Sequence, residues 1–206
     1  MSLLFPAIGI SRQEYNSNDI TQKENGLYTE KFYDEPITGK IYDYLDKNQP
    51  FKKVYLGIGS NIGDKEINIF TAIAALDVRD EISVKRTASI YETQPMYKTD
   101  QPTFFNTVVE LETTLLPESM LQVCQGIELM LGRPQNHKKN EPRVIDLDIL
   151  AYETKSVDII NLKIPHPQLF ARKFVLVPWA EISPDFMVQD YGRSVSELLS
   201  LCPDNS

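Results

Sequence analysis

The chain has 206 residues, is 42% hydrophobic and 24% charged, and carries a formal net charge of −8. That length suits one large domain, or one ordinary domain with an extension, and the composition supports a packed core. The acidic balance argues against a general nucleic-acid or anionic-membrane surface, and no apolar run is long enough to span a bilayer. Cys124 and Cys202 are the only cysteines and lack metal-ligand spacing, which points to a reducing compartment. The N-terminus has neither the apolar core of a secretory signal nor the Arg-rich, acid-poor makeup of a transit peptide. A cytoplasmic location is expected, with a mitochondrial one left open.

Residues 1–50 read as a polar N-terminal arm or interdomain linker, with a short helix around Lys40 to Leu45 and a small apolar strand at Phe5 to Ile10. The organised domain occupies 51–206. Lys53 to Gly59 reads as a strand. Ser60 to Asp64 is a turn and N-cap, followed by a helix to about Val78 with Ile69, Ile73 and Leu76 on one face. Glu81 to Glu92 alternates as one long strand through Ile82, Val84, Ala88 and Ile90. Gln94 to Thr103 is a loop, Phe104 to Glu112 a strand, and Pro117 opens a helix to Leu131. Gly132 to Pro142 is a basic loop that runs into a strand ending at Tyr152. Beyond it the pattern predicts a short strand at Val157 to Leu162, a rigid turn at Pro165-His166-Pro167, an apolar strand at Phe174 to Val177 and a final helix from Ser194 to Leu201. The order β-α-β-β-α-β is the ferredoxin-like pattern. The expected fold class is therefore α+β: an antiparallel sheet with both helices on one face and C-terminal additions.

The strand from Arg143 to Tyr152 carries the sharpest signal. Ile145, Leu147 and Ile149 take one side, and Val144, Asp146 and Asp148 the other. Both carboxylates then project from one face, roughly 7 Å apart at their Cα atoms. Two harmless aspartates on a solvated edge explain that pattern as well as a metal site does. Hard Mg²⁺ takes one or two carboxylates plus substrate phosphate oxygens. The neighbouring loop, Arg133 to Arg143 with His137, Lys138 and Lys139, is the one basic cluster in an acidic chain. Cations beside a Mg²⁺ site are what a polyphosphate requires. His166, fixed between prolines, and Arg172 are further candidates for phosphate contact. Phe104 and Phe174, with Asn106 two residues after Phe104, could sandwich a flat heterocycle and read its edge, although ordinary core packing explains lone aromatics equally. Gly57-Ile-Gly59-Ser-Asn-Ile-Gly63 fails both the dinucleotide and the P-loop patterns and reads as a tight turn.

Taken together, Tyr55-Leu-Gly-Ile-Gly-Ser-Asn61, Tyr91-Glu-Thr-Gln-Pro95, Asp100 to Asn106, Gly132-Arg133, Pro142 to Leu150, Ile164-Pro-His-Pro167 and Arg172 to Leu176 closely resemble the 6-hydroxymethyl-7,8-dihydropterin pyrophosphokinases. The resemblance implies a ferredoxin-like fold and a folate-pathway enzyme that uses ATP and 6-hydroxymethyl-7,8-dihydropterin to give AMP and the pterin diphosphate. It implies two Mg²⁺ ions on Asp146 and Asp148. It implies phosphate or nucleotide contacts from Gln125, Glu128, Arg133, Lys139, Arg143, His166 and Arg172. Phe104 and Phe174 would stack on the pterin, and Asn106 with Thr93, Gln94, Pro95 and Met96 would hold its edge. The loop from Arg133 to Arg143 matches a mobile catalytic loop. Lys139-Asn140 stands where well-known bacterial members carry Arg-Trp, and Gln135 where they carry another Arg, which bears on lid closure rather than on the reaction. In fungal folate enzymes this domain lies between dihydroneopterin aldolase and dihydropteroate synthase. On that pattern Phe5 to Gln13 is the last aldolase strand and 14–50 the linker; a bare arm explains the same residues. A non-catalytic ferredoxin-like ligand-binding or interaction domain is the competing reading.

Overall fold

The computed structural model describes residues 50–96, 98–134, 136, 140–153 and 155–204. The expected arm, its short helix and its apolar strand lie outside the described residues, as do Gln135, His137, Lys138 and Lys139. The central sheet runs β2-β4-β1-β5, all neighbours antiparallel, from strands β1 (Lys52–Ser60), β2 (Ile82–Thr87), β4 (Phe104–Thr113) and β5 (Asp146–Tyr152). A short strand β3 (Tyr91–Thr93) also pairs with β4. Helix α1 (Lys65–Asp77) joins β1 to β2, and α2 (Pro117–Met130) joins β4 to β5. This is the expected ferredoxin-like topology.

Both crossover helices cover one face. Asp64 caps α1 by accepting a hydrogen bond from the Ile67 N–H, and Gly63 takes the positive φ (69°) that the turn before it needs. Ile69, Ala72 and Leu76 of α1 and Met120, Val123, Cys124 and Ile127 of α2 bury against Val54, Leu56, Ile58, Leu147 and Ile149. Each fully buried Leu or Ile of this layer contributes about 1.5–3 kcal/mol. The C-terminal segment covers the opposite face. Helix α3 (Lys173–Ile182) and the short α4 (Val195–Ser200) pack Val175, Leu176, Trp179 and Leu198 against Tyr55, Val108 and Leu150. Small hairpins β6–β7 (Val157–Ile159, Leu162–Ile164) and β8–β9 (Met187–Val188, Arg193–Ser194) complete the chain.

Three expectations are corrected. Phe174 to Val177 is not a strand but the first part of α3. Its buried residues are Val175, Leu176, Pro178, Trp179 and Ile182, and the helix runs through Pro178. The predicted strand from Glu81 to Glu92 is two strands: a bulge between Val84 and Arg86 and a break after Thr87 move Ala88 away from Ile82 and into the opposite core layer. The predicted strand from Val157 is a hairpin, because the chain reverses between Ile159 and Leu162.

Candidate active site

The cross-strand row Asn106, Gly59, Asp146 runs over β4, β1 and β5, with Gly57 beside Asp148 one step along. The two glycines leave the centre of this face low. The hollow lies at the end of the sheet near the start of α3. Gly57, Gly59, Asp146 and Asp148 floor it, and Phe104, Asn106, Thr93, Arg143, Arg172 and Phe174 stand around it. The alternation of β5 decides which side chains arrive there. Leu147 and Ile149 go into the helix-covered core, so Asp146 and Asp148 must face the hollow.

Three guanidiniums meet these carboxylates. Arg133 Nη1 bridges Glu128 and Asp146, Arg143 Nη2 lies 2.7 Å from Asp146 Oδ2, and Arg172 Nη1 lies 3.4 Å from Asp148 Oδ2. Arg133 is aimed there by the end of α2. Gly132 adopts φ 94°, the Arg133 N–H returns to the Glu128 carbonyl and the Gly132 N–H to the Leu129 carbonyl. That pair of bonds is a Schellman motif, in which glycine takes the left-handed position without a Cβ penalty. Glu128 in turn accepts from the Leu147 N–H at 2.8 Å, which ties α2 to β5 between the two aspartates.

Burial and the neighbouring Asp146 charge push the Asp148 carboxyl up to about 6, against the pull of Arg172. Solvent still reaches its side chain through the mouth of the hollow, which leaves it 38% exposed. Glu128 is pushed up to about 7, chiefly by burial. His166 is pushed down to about 4 by burial and by the Arg172 charge, so its ring is neutral at pH 7. Its Nδ1 accepts from the Gln168 N–H, which places the ring proton on Nε2, 3.5 Å from Arg172 Nη1. The Nε atoms of Arg133, Arg143 and Arg172 are buried with no acceptor among the described residues. Two of these orphaned donors belong to arginines that line the hollow, Arg143 and Arg172, and the third to Arg133, which reaches it through Asp146; together they suit an anion.

On the other side the lining turns aromatic. Arg143 lies over the Phe104 ring with 5.0 Å to its centroid, and Arg172 over Phe174 at 5.7 Å. Asn106, 8% exposed, donates from Nδ2 to Thr93 Oγ1 at 2.7 Å.

The hollow therefore brings together Thr93, Gln94, Met96, Phe104, Asn106, Arg143, Asp146, Asp148, Arg172 and Phe174. Arg133 and Glu128 join it through Asp146 and Leu147 rather than by lining it. Pro95 is buried beside it, and Gln125 is exposed on α2 and does not line it. Sequence reasoning missed Gly57, Gly59, Gln101, Thr107 and Asn140, all of which line the hollow. The signal for the glycines was present: two glycines at alternate positions of a central strand mark a close approach.

A family model described as 7,8-dihydro-6-hydroxymethylpterin-pyrophosphokinase (HPPK) matches residues 55–184. The chain belongs to the HPPK family. It is 43% identical over 148 residues to the 2-amino-4-hydroxy-6-hydroxymethyldihydropteridine pyrophosphokinase of Methylorubrum extorquens, covering 72% of this chain and 92% of that one. It is 42% identical over 152 residues to the Folic acid synthesis protein fol1 of Schizosaccharomyces pombe, covering 74% of this chain but only 21% of that longer protein. The fold is shared with the HPPK-DHPS of Plasmodium falciparum solved with pteroate, at TM-score 0.62 and 16% identity, over 76% of this chain and 43% of that one. The HPPK match begins at Tyr55, four residues before Gly59, and ends two residues beyond α3, so it contains the whole hollow.

Proposed function

We infer that this hollow transfers the terminal diphosphate of ATP to 6-hydroxymethyl-7,8-dihydropterin, a step of folate biosynthesis. The observation that carries the reading is the Asp146–Asp148 pair facing three arginines with orphaned Nε donors, next to two phenylalanines and a buried amide. The pterin hydroxyl oxygen attacks the β-phosphorus, the bond from that phosphorus to the oxygen bridging to the α-phosphorus breaks, and AMP leaves. The hydroxyl proton is released as the new O–P bond forms.

The chain's own residues divide that work. Phe104 and Phe174 hold the flat ring by stacking, and Asn106 with the backbone of residues 93–96 reads its edge. Arg133, Arg143 and Arg172 take phosphate oxygens with the donors that now have no acceptor, and neutral His166 offers its Nε2–H. Lys139 and the rest of its loop supply further positive charge and exclude water. Gln125 and Glu128 sit on the nucleotide side.

The donor set also fits Mg²⁺. Among the described residues no three His, Cys, Asp or Glu side chains gather as a complete cage. A pair of carboxylates on one strand face, completed by phosphate oxygens, is what Mg²⁺ accepts. The Asp148 carboxyl, pushed up by burial and by the Asp146 charge, is a group whose ionised form a bound cation would favour. Asp146 and Asp148 would hold two ions, which supply charge neutralisation and orientation of the phosphates.

The match to only 21% of the longer fol1 and the fold shared with an HPPK-DHPS support a setting in which further folate-pathway domains share the native polypeptide, a dihydropteroate synthase after this one and, as the family resemblance implies, a dihydroneopterin aldolase before it. The test of the reaction is AMP formation from ATP with and without the pterin, across a Mg²⁺ titration. Pterin- and Mg²⁺-dependent AMP is expected. ADP, or no product from folded protein that still binds pterin, would turn the reading to a non-catalytic binding domain.

A further inference from the structure

Asn61 is not among the residues lining the hollow, yet it is 1% exposed and its side-chain amide is bonded through both Oδ1 and Nδ2. Its Oδ1 accepts from the Arg143 N–H at 2.8 Å. Its own backbone N–H donates to the Arg143 carbonyl at 3.1 Å. Its Nδ2 donates to Gln101 Oε1 at 3.1 Å and to the Pro102 carbonyl at 3.3 Å. One buried amide therefore grips the end of the basic loop with one atom and the end of the loop at 94–103 with the other.

The surroundings reinforce both grips. Asn68, one turn into α1, donates to the Val144 carbonyl at 3.2 Å, next to Arg143. Lys65, at the start of α1, donates to Thr103 Oγ1 at 3.0 Å and to its carbonyl at 3.1 Å, and lies 4.0 Å over the Phe105 ring. Gln101 itself lines the hollow. The turn between β1 and α1 is thus a rigid hub. The nucleotide-side arginine hangs from one side of it and the pterin-side loop from the other.

We propose that Asn61 is a positioning residue that sets the spacing between the two halves of the site. The proposal rests on the diphosphate-transfer reading. The chemistry of the amide is what qualifies it, because the hub needs an acceptor and two donors at one buried point, and Asn supplies both. Asp at this position keeps the acceptor for the Arg143 N–H but turns a second acceptor toward Gln101 and Pro102. The Gln101 amide can answer with its nitrogen only by giving up its Nε2 bond to the Lys98 carbonyl (2.6 Å), and the Pro102 carbonyl cannot answer at all. Asn61→Asp therefore releases the pterin-side loop and spares the arginine side. Asn61→Ala releases both.

The experiment measures equilibrium pterin binding by calorimetry, together with separate KM values for ATP and pterin, on the wild type, Asn61→Asp, Asn61→Ala and Gln101→Ala. Asn61→Asp weakens pterin binding and raises the pterin KM about tenfold, with the ATP KM within about twofold, as expected for a buried polar group left facing an acceptor. Asn61→Ala raises both KM values. Gln101→Ala reproduces part of the pterin defect. A folded Asn61→Asp variant with unchanged pterin affinity overturns the proposal, and so does one whose two KM values rise together. Should Asn61→Asp fail to fold, Gln101→Ala decides: unchanged pterin affinity in that variant overturns the proposal as well. A wild type that binds pterin without making AMP refutes the reaction instead, and the calorimetry still reads the hub.

Discussion

A Cβ built on Gly59 would stand 2.6 Å from Oδ1 of Asn106, its cross-strand neighbour. The amide cannot swing aside freely, because Nδ2 is held by Thr93 Oγ1 on β3. Gly59→Ala therefore moves the group proposed to read the pterin edge while leaving the arginines in place. Pterin affinity is expected to fall about tenfold, and stability by about 1–3 kcal/mol from overpacking, with nucleotide affinity nearly unchanged. Calorimetric titration of each ligand separates these effects. Equal losses for both ligands would show that the substitution disturbs the whole sheet end.

Asp146→Asn keeps the shape of the side chain and removes the charge that Arg133 and Arg143 share. Turnover is expected to fall at least about 100-fold, since charge placed for the transition state is worth several kcal/mol. The circular dichroism spectrum stays that of the wild type. The Mg²⁺ concentration for half-maximal AMP formation rises. Unchanged turnover at unchanged Mg²⁺ would make the metal assignment wrong.

Glu110 and Glu128 titrate with opposite effects on stability. Burial works to raise the Glu110 carboxyl, but bonds from Arg86, Tyr55 and Ser183 outweigh it and hold the group below its ordinary value of 4.5. Its contribution is complete above that value and is lost as pH falls through the lower folded value. Glu128 is raised to about 7, so the folded state binds its proton more tightly, and stability declines as pH rises from about 4.5 to about 7. In urea denaturation at pH 4, 5.5 and 8, Glu110→Gln is expected to lose about 1–3 kcal/mol at pH 8 and less at pH 4. Glu128→Gln, which keeps an acceptor for the Leu147 N–H, gains relative to the wild type most at pH 8, less at pH 5.5 and not at pH 4. The same sign for both variants at every pH would contradict the assigned shifts.

Phe174 tests the stacking assignment. Phe174→Leu keeps much of the apolar area and loses the ring, whereas Phe174→Ala loses both. Removing a stacking ring costs about 1–3 kcal/mol, so pterin KM should rise about tenfold or more in each, with the ATP KM little changed. A variant that loses ATP affinity first would place the ring on the nucleotide side, where Arg172 already lies over it.

Much of this architecture could be read from residue patterns. The period of two in Arg143 to Tyr152 put both aspartates on one face, and β5 does so from Asp146 onward. The turn, cap and apolar face of α1 followed from Gly63, Asp64 and Ile69 to Leu76. Phe174 to Val177 misled because Val-Leu-Val before a proline is locally a strand signal. Only packing of Trp179 and Ile182 beyond Pro178 settles it as a helix, and such packing is tertiary. The bulge at Val84 to Arg86 left no mark of its own in the alternation. Asn61 was visible as a turn residue, but its three side-chain bonds reach residues 40 or more positions away, and no local pattern encodes that.

Trp179 is the only tryptophan in the 206 residues, and it is wholly buried between Tyr55 and Phe186, with ring centroids 5.0 and 5.7 Å away. It sits on the far face of the sheet from α1 and α2, one and a half turns along α3 from Phe174. Intrinsic emission excited at the indole band therefore reads the docking of the C-terminal helices on the sheet from one site. Separation of that layer from the sheet will appear as a red shift from a single indole.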